Sequence, residues 1–265
     1  MQSKTFTYRS AQIFYRTTGS GKPLVLIHGF AEDGGVWENQ IEFLKEHFYL
    51  IIPHLPGSGR SELIDDMSIE GMAELINAIL LNEKIETCSM AGHSMGGYIT
   101  LAFAEKYPAL LSSIALVHSS AFADSEEKKA NRLKSIEFVK KNGAYEFLKA
   151  VIFDLFTETW ATNNQQTVDL QIEKSKSFAD EAIIAYYEAM INRPDRTHVL
   201  KNFNKPVLFI IGEHDKAVPF EQSLQQCYLP AISYIHILRN SAHMGMLEEA
   251  DTVNILLEDL LKYNN

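Results

Sequence analysis

The chain has 265 residues, 46% hydrophobic and 22% charged, which is ordinary for a globular protein and ample for a sizeable core. Its 24 basic and 34 acidic residues leave a formal charge of −10, with no lysine or arginine cluster long enough to track a phosphate backbone, so nucleic acid is set aside as a partner. The two cysteines, Cys88 and Cys227, do not make a disulfide framework, the N-terminus lacks the apolar core of a secretory signal, and no stretch approaches the roughly 18 apolar residues of a membrane span; a cytoplasmic protein is expected.

In chain order, Lys4 to Tyr8 and Gln12 to Thr17 alternate about Arg9-Ser10-Ala11 and predict an opening hairpin. Gly19-Ser20-Gly21-Lys22-Pro23 breaks the pattern, after which strands near Leu24, Tyr49, Thr87, Ser113, Pro206 and Ser233 alternate with helices near Val36, Ile69, Tyr98, Phe220 and Thr252. Alternation of this kind predicts an α/β fold, an eight-stranded, mostly parallel sheet with helices on both faces. From about Phe122 to Leu200 the alternation stops and only helical patterns remain. The expected organisation is therefore a core of residues 1–121 and 201–265 with an insertion of residues 122–200. Within it, Glu126-Glu127-Lys128-Lys129 has mixed sign and reads as a solvated helix face.

Ser94 stands at the centre of Gly92-His93-Ser94-Met95-Gly96-Gly97, between the apolar run Thr87 to Ala91 and the helical run Tyr98 to Tyr107. A serine presented on a strand-to-helix turn needs a strained backbone, and the helix must pass close to the strand, so positions two before and two after it can bear no side chain. Gly92 and Gly96 meet that demand. A hydroxyl is a poor nucleophile until a base takes its proton, and the base must itself be oriented by a third group. Asp215 follows the apolar strand Pro206 to Ile211, and His243 follows the alternating strand Ser233 to Leu238. Asp124, soon after the preceding strand, is the alternative acid; Asp215 is favoured because it directly follows an apolar strand.

The order serine, acid, histidine, with this turn, resembles the α/β-hydrolase fold family from about Leu24 to the C-terminus. The resemblance implies a catalytic triad of Ser94, Asp215 and His243. It also implies an oxyanion hole made of the backbone N–H groups of Phe30, in His28-Gly29-Phe30, and of Met95. His28 is expected to be a structural hydrogen-bonding residue. The insertion is similar to the family's helical cap. Trp37, Met244, Phe153 and Trp160 are candidates to bind substrate, within a larger cap set of Phe138, Tyr145, Phe147, Phe156, Phe178, Tyr186, Tyr187 and Met190. His54, in Pro53-His54-Leu55-Pro56-Gly57-Ser58-Gly59, departs from the family's usual aspartate there. No group with metal-ligand spacing accompanies it, so neither a metal nor a cofactor is expected.

The implied activity is a carboxylesterase-like serine hydrolase cleaving a small carboxylic ester through an acyl-enzyme. Alternatives on the same scaffold are hydrolysis of a carbon–carbon bond in a diketone-like metabolite, and a ligand receptor with slow turnover. The expected partner is a small carbonyl compound. Oligomeric state is not legible in the sequence.

Overall fold

A computed structural model of the chain describes residues 1–263. The hairpin is β1 (Gln2–Tyr8) with β2 (Ala11–Thr18), followed by β3 (Lys22–Ile27), α1 (Glu38–Leu44), β4 (Phe48–Pro53), α2 (Ile69–Asn82), β5 (Cys88–His93), α3 (Met95–Lys106) and β6 (Leu111–Val117). Then come α4 (Glu126–Asn142), α5 (Ala144–Val151), α6 (Glu158–Asn163), α7 (Gln165–Ser175), α8 (Asp180–Asn192) and α9 (Thr197–Asn202). The chain closes with β7 (Val207–Gly212), α10 (Phe220–Gln226), β8 (Ser233–Leu238), α11 (Gly245–Glu248) and α12 (Ala250–Tyr263).

All eight strands form one sheet in the order β1-β2-β4-β3-β5-β6-β7-β8. Among the described residues, only the pairings β1 with β2 and β2 with β4 are antiparallel. The central strands β5 and β7 are buried along their whole length, as a strand covered on both faces must be, whereas β1 at the edge alternates with exposed positions. On one face α2 packs on α3, and elsewhere α1 packs on α12. Helix α2 shows why these segments form: Ser68 caps its start by accepting the Gly71 N–H at 2.9 Å, and Ile69, Met72, Leu75, Ile76, Ile79 and Leu80 recur on one buried stripe. Each such side chain taken out of water contributes about 1.5–3 kcal/mol.

The strand order reverses at β3, with β4 on one side and β5 on the other. In an open parallel sheet such a reversal leaves a crevice at the carboxyl ends of the strands. The turn after β3 and the turn after β5 both open into it. Between β6 and β7 the chain contains six helices, α4 to α9, and no strand. Among the described residues, no helix is long and apolar enough to cross a membrane.

Candidate active site

Ser94 joins β5 to α3 with φ 49° and ψ −115°, a left-handed conformation that a side chain rarely adopts. The turn is held from three directions: the Ser94 N–H donates to the Val117 carbonyl at 2.9 Å, and the Ser94 carbonyl accepts from Gly97 N–H at 2.9 Å and from Ser119 Oγ at 2.7 Å. A methyl group on Gly92 would run into the backbone of Gly96, and one on Gly96 into the carbonyls of Ile27 and His28. Helix and strand therefore meet backbone to backbone, the contact that allows the strained serine to persist.

His243 lies on the loop after β8, 5% exposed, with Nδ1 2.8 Å from Asp215 Oδ2. A carboxylate oxygen can only accept, so Nδ1 carries the proton and Nε2 of the neutral ring is left as the acceptor. Asp215 is fixed in turn, its Oδ1 accepting from the N–H groups of Ala217 at 2.8 Å and Val218 at 2.9 Å. Burial alone would raise this carboxyl, but the rings of His243 and His118 beside it hold it well below the usual carboxylate range. His118, just past β6, places Nδ1 3.4 Å from Asp215 Oδ2, while its Nε2 accepts the Gly245 N–H at 3.2 Å. Burial pushes this ring down to about 4, so it is neutral and faces Asp215 with its remaining N–H. His118, Asp215 and His243 bring three potential ligand atoms within 4.8 Å of one another. Nδ1 of His243 is bonded to the carboxylate, and Nδ1 of His118 faces the same oxygen from 3.4 Å without a hydrogen bond, so both nitrogens turned toward Asp215 carry protons and the three groups do not present an open set of lone pairs.

A second buried pair lies beneath the serine. His93 Nδ1 is 3.0 Å from Glu32 Oε2 and its Nε2 is 2.9 Å from the His243 carbonyl oxygen. Both partners are acceptors, so only the imidazolium satisfies both contacts. Burial would lower this ring, yet Glu32 overcomes it and holds the imidazole above its usual range; Glu32 is likewise held below its own, against burial, chiefly by His93. Glu32 Oε2 also accepts the Gly29 N–H at 2.7 Å. One carboxylate and one ring thus tie the turn after β3, the strand before Ser94 and the loop of His243 together. Glu32, His93 and His118 were missed from the sequence. Their signal was faint: imidazoles closing otherwise apolar strands.

Ser94 and His243 line one cavity of ≈ 310 Å³ with Phe30 and Met244. The insertion adds Phe147, Phe156, Tyr187 and Met190 to its walls, and the loop of Asp215 adds Lys216, Ala217 and Val218. Phe30 packs on Tyr187 with ring centroids 4.5 Å apart, and the His243 N–H donates to Leu155 O at 2.9 Å, so the insertion bears directly on both turns. Glu248 reinforces this junction, accepting from Thr157 N–H at 2.8 Å and Ala242 N–H at 2.9 Å. Met95 is the first residue of α3, whose leading N–H groups find no partner inside the helix.

Several expectations require correction. Trp37 does not reach the cavity: it is fully buried, edge-on to His93, because the 3-10 turn that carries it packs down onto the sheet. Phe153 is 37% exposed and does not line the cavity. Trp160 stacks on the outer side of Phe156, planes 4° apart, and lines a separate, more polar depression. Of the larger set, Phe138, Tyr145, Phe178 and Tyr186 are also absent from the cavity wall. Lys129 pairs with Glu126 on an exposed face, but Lys128 turns inward and lines the cavity, so that run is not wholly solvated. Asp124 faces Arg193 Nη2 at 2.9 Å and Arg132 Nε at 2.6 Å rather than His243. His28, by contrast, is the structural hydrogen-bonding residue expected: it is buried and accepts the Leu55 N–H on Nε2 at 2.9 Å.

A family model described as alpha/beta hydrolase fold matches residues 22–250. The chain belongs to the alpha/beta hydrolase fold family. It is a hydrolase of that fold, similar along nearly its whole length to several members. A thermophilic esterase from Thermogutta terrifontis superimposes with a TM-score of 0.92 at 27% identity, covering 99% of this chain and 98% of that one. A protein of Serratia proteamaculans (strain 568) with the provisional name carbamate hydrolase RutD is 26% identical over 259 residues, 96% of each chain. The 2-hydroxy-6-oxononadienedioate/2-hydroxy-6-oxononatrienedioate hydrolase of Paraburkholderia phymatum (strain DSM 17167 / CIP 108236 / LMG 21445 / STM815) is 24% identical over 266 residues, covering 94% of this chain and 91% of the relative.

Proposed function

We propose that this hydrolase is a serine esterase that cleaves a small carboxylic ester through an acyl-enzyme, with Ser94, His243 and Asp215 as its triad. The observation that carries the reading is the 2.8 Å bond from His243 Nδ1 to Asp215, with His243 and Ser94 lining the same cavity. His243 Nε2 accepts the Ser94 proton as Oγ attacks the substrate carbonyl; Asp215 orients the ring and stabilises the imidazolium that forms. The imidazolium then protonates the leaving alkoxide. Water, deprotonated by the same nitrogen, attacks the acyl carbon, and as the tetrahedral intermediate collapses the imidazolium returns that proton to Ser94 Oγ, releasing the acid. The amides of Phe30 and Met95 receive the tetrahedral oxyanion in both halves; a donor of this kind lowers the barrier by about 3–4 kcal/mol. The helical insertion of residues 122–200 acts as a cap whose side chains select the substrate.

Turnover of short p-nitrophenyl esters tests this, together with labelling by a fluorophosphonate. Ser94→Ala is expected to lower kcat by about 10⁴–10⁶-fold and to abolish labelling. Undiminished turnover in that variant would exclude Ser94 as the nucleophile. Cleavage of a carbon–carbon bond by the same three residues is a second reading, favoured by the name of the Paraburkholderia relative; product analysis on a vinylogous 1,5-diketone acid separates the two.

A further inference from the structure

Three cations line the cavity of this acidic protein: Lys128 and Arg132 from α4, and Lys216 from the loop that carries Asp215. A spacing of four residues puts Lys128 and Arg132 on one face of their helix. Other lysines of α4 lie on its outer side in exposed pairs, Lys129 with Glu126 and Lys140 with Glu137. Arg132 is only 14% exposed in its side chain and lies 5.6 Å over the ring of Tyr187, another lining residue. Its Nε bonds Asp124, while among the described residues its two terminal nitrogens have no protein acceptor. Lys128 Nζ donates to the Ala217 carbonyl at 2.9 Å and stands 4.0 Å from Asp124. Among the described residues Lys216 has neither a hydrogen-bond acceptor nor an ion-pair partner.

The local charge does not cancel. Asp124 is one carboxylate shared among Arg193, Arg132 and Lys128, and Arg193 by itself already holds it at 2.9 Å. The acidic lining residue, Glu32, is committed to His93. Tyr98, fully buried at the cavity wall, reports the excess: burial would raise its phenol, yet Arg193, Lys128 and Arg132 bring it below its usual range.

Resting on the serine-hydrolase reading above, we propose that the cavity selects substrates bearing a carboxylate: the anion sits against Arg132, Lys128 and Lys216 while the scissile carbonyl lies over Ser94. The planar guanidinium offers its free edge to both carboxylate oxygens, and the lysines supply the surrounding positive charge. The apolar walls, Phe147, Tyr187 and Met190, then contact the linking carbon chain. The substrate class is a monoester or lactone of a dicarboxylic acid, or a keto acid cleaved next to its carbonyl.

The test compares kcat/KM for p-nitrophenyl hemiglutarate and the neutral p-nitrophenyl pentanoate, which differ chiefly in the terminal carboxylate. The hemiglutarate is expected to be preferred by about 10-fold or more at low salt, with the preference shrinking as ionic strength rises. In Arg132→Gln, and independently in Lys216→Gln, where among the described residues no hydrogen bond or ion pair is lost, the ratio is expected to fall by about 5–10-fold. A ratio at or below one in the wild type, or an unchanged ratio in both variants, overturns the proposal. Calorimetric titration of glutarate into Ser94→Ala protein separates the two layers. Glutarate binding that weakens in the Lys216→Gln background supports the anion site even if neither ester turns over, an outcome that would fail the esterase reading alone. Turnover of the neutral ester with no glutarate binding overturns the anion site and leaves that reading standing.

Discussion

Glu32→Gln isolates the buried charge pair under Ser94. The glutamine has the same shape, its carbonyl can accept the Gly29 N–H, and its amide can donate to Nδ1 of a neutral His93, which still donates from Nε2 to the His243 carbonyl. The variant should therefore fold, but only with His93 uncharged. In the wild type, His93 is raised when folded, so its contribution to stability is fully present below the unfolded value near 6.5 and is lost as pH rises through the folded value. In the variant the sign reverses: at pH 5 the unfolded chain binds a proton that folding must release, at about 1.36 kcal/mol per pH unit, or about 2 kcal/mol over the 1.5 units to pH 6.5. The stability deficit of the variant is thus greatest near pH 5 and narrows by about 2 kcal/mol on reaching pH 6.5, then further as the wild-type ring titrates. For a chain of this size that corresponds to roughly 4–6 °C in Tm. Thermal melts of both proteins at pH 5, 6.5 and 8 measure it; subtracting the wild-type curve removes the other titrating groups. A deficit that is constant with pH, or that grows toward pH 8, would show that His93 is not held as an imidazolium by Glu32.

The two candidate acids separate by what each substitution damages. Asp215→Asn is expected to lower ester turnover by about 10³–10⁴-fold with the protein still folded, because the wrong His243 tautomer is then favoured. Asp124→Asn is expected to appear mainly in denaturant titration, with a loss of about 3 kcal/mol as buried Arg193 loses its carboxylate; a collapse of turnover in this variant alone would move the acid role to Asp124. Trp37→Ala is expected to cost about 3–5 kcal/mol of stability through the cavity it leaves in the core, with KM of the folded enzyme unchanged; a selective rise in KM would return Trp37 to the substrate site.

Local pattern determined the fold of this protein. The alternating hairpin, the buried apolar runs and the amphipathic helices each carry their own periodicity, and every one of the eight strands lies where that periodicity places it. The serine turn was legible for a similar reason: Gly92 answers a steric demand made within five residues of chain, by the backbone of Gly96, while the demand on Gly96 comes from Ile27 and His28 at the end of the neighbouring strand. What tertiary structure decided is which side chains face one another across long separations. Nothing local distinguishes Trp37, sealed in the core, from Met244, on the cavity wall, since both are large apolar residues beside a functional turn. The same holds for charge. Lys128 and Lys129 are neighbours in sequence and equally half-buried, and only the packing of α4 puts one on the cavity wall and leaves the other paired with the exposed Glu126. The pair Glu32–His93 spans 61 residues and the bond from His93 to the His243 carbonyl spans 150; charges and hydrogen bonds at such separations become meaningful only when the sheet brings its carboxyl ends together.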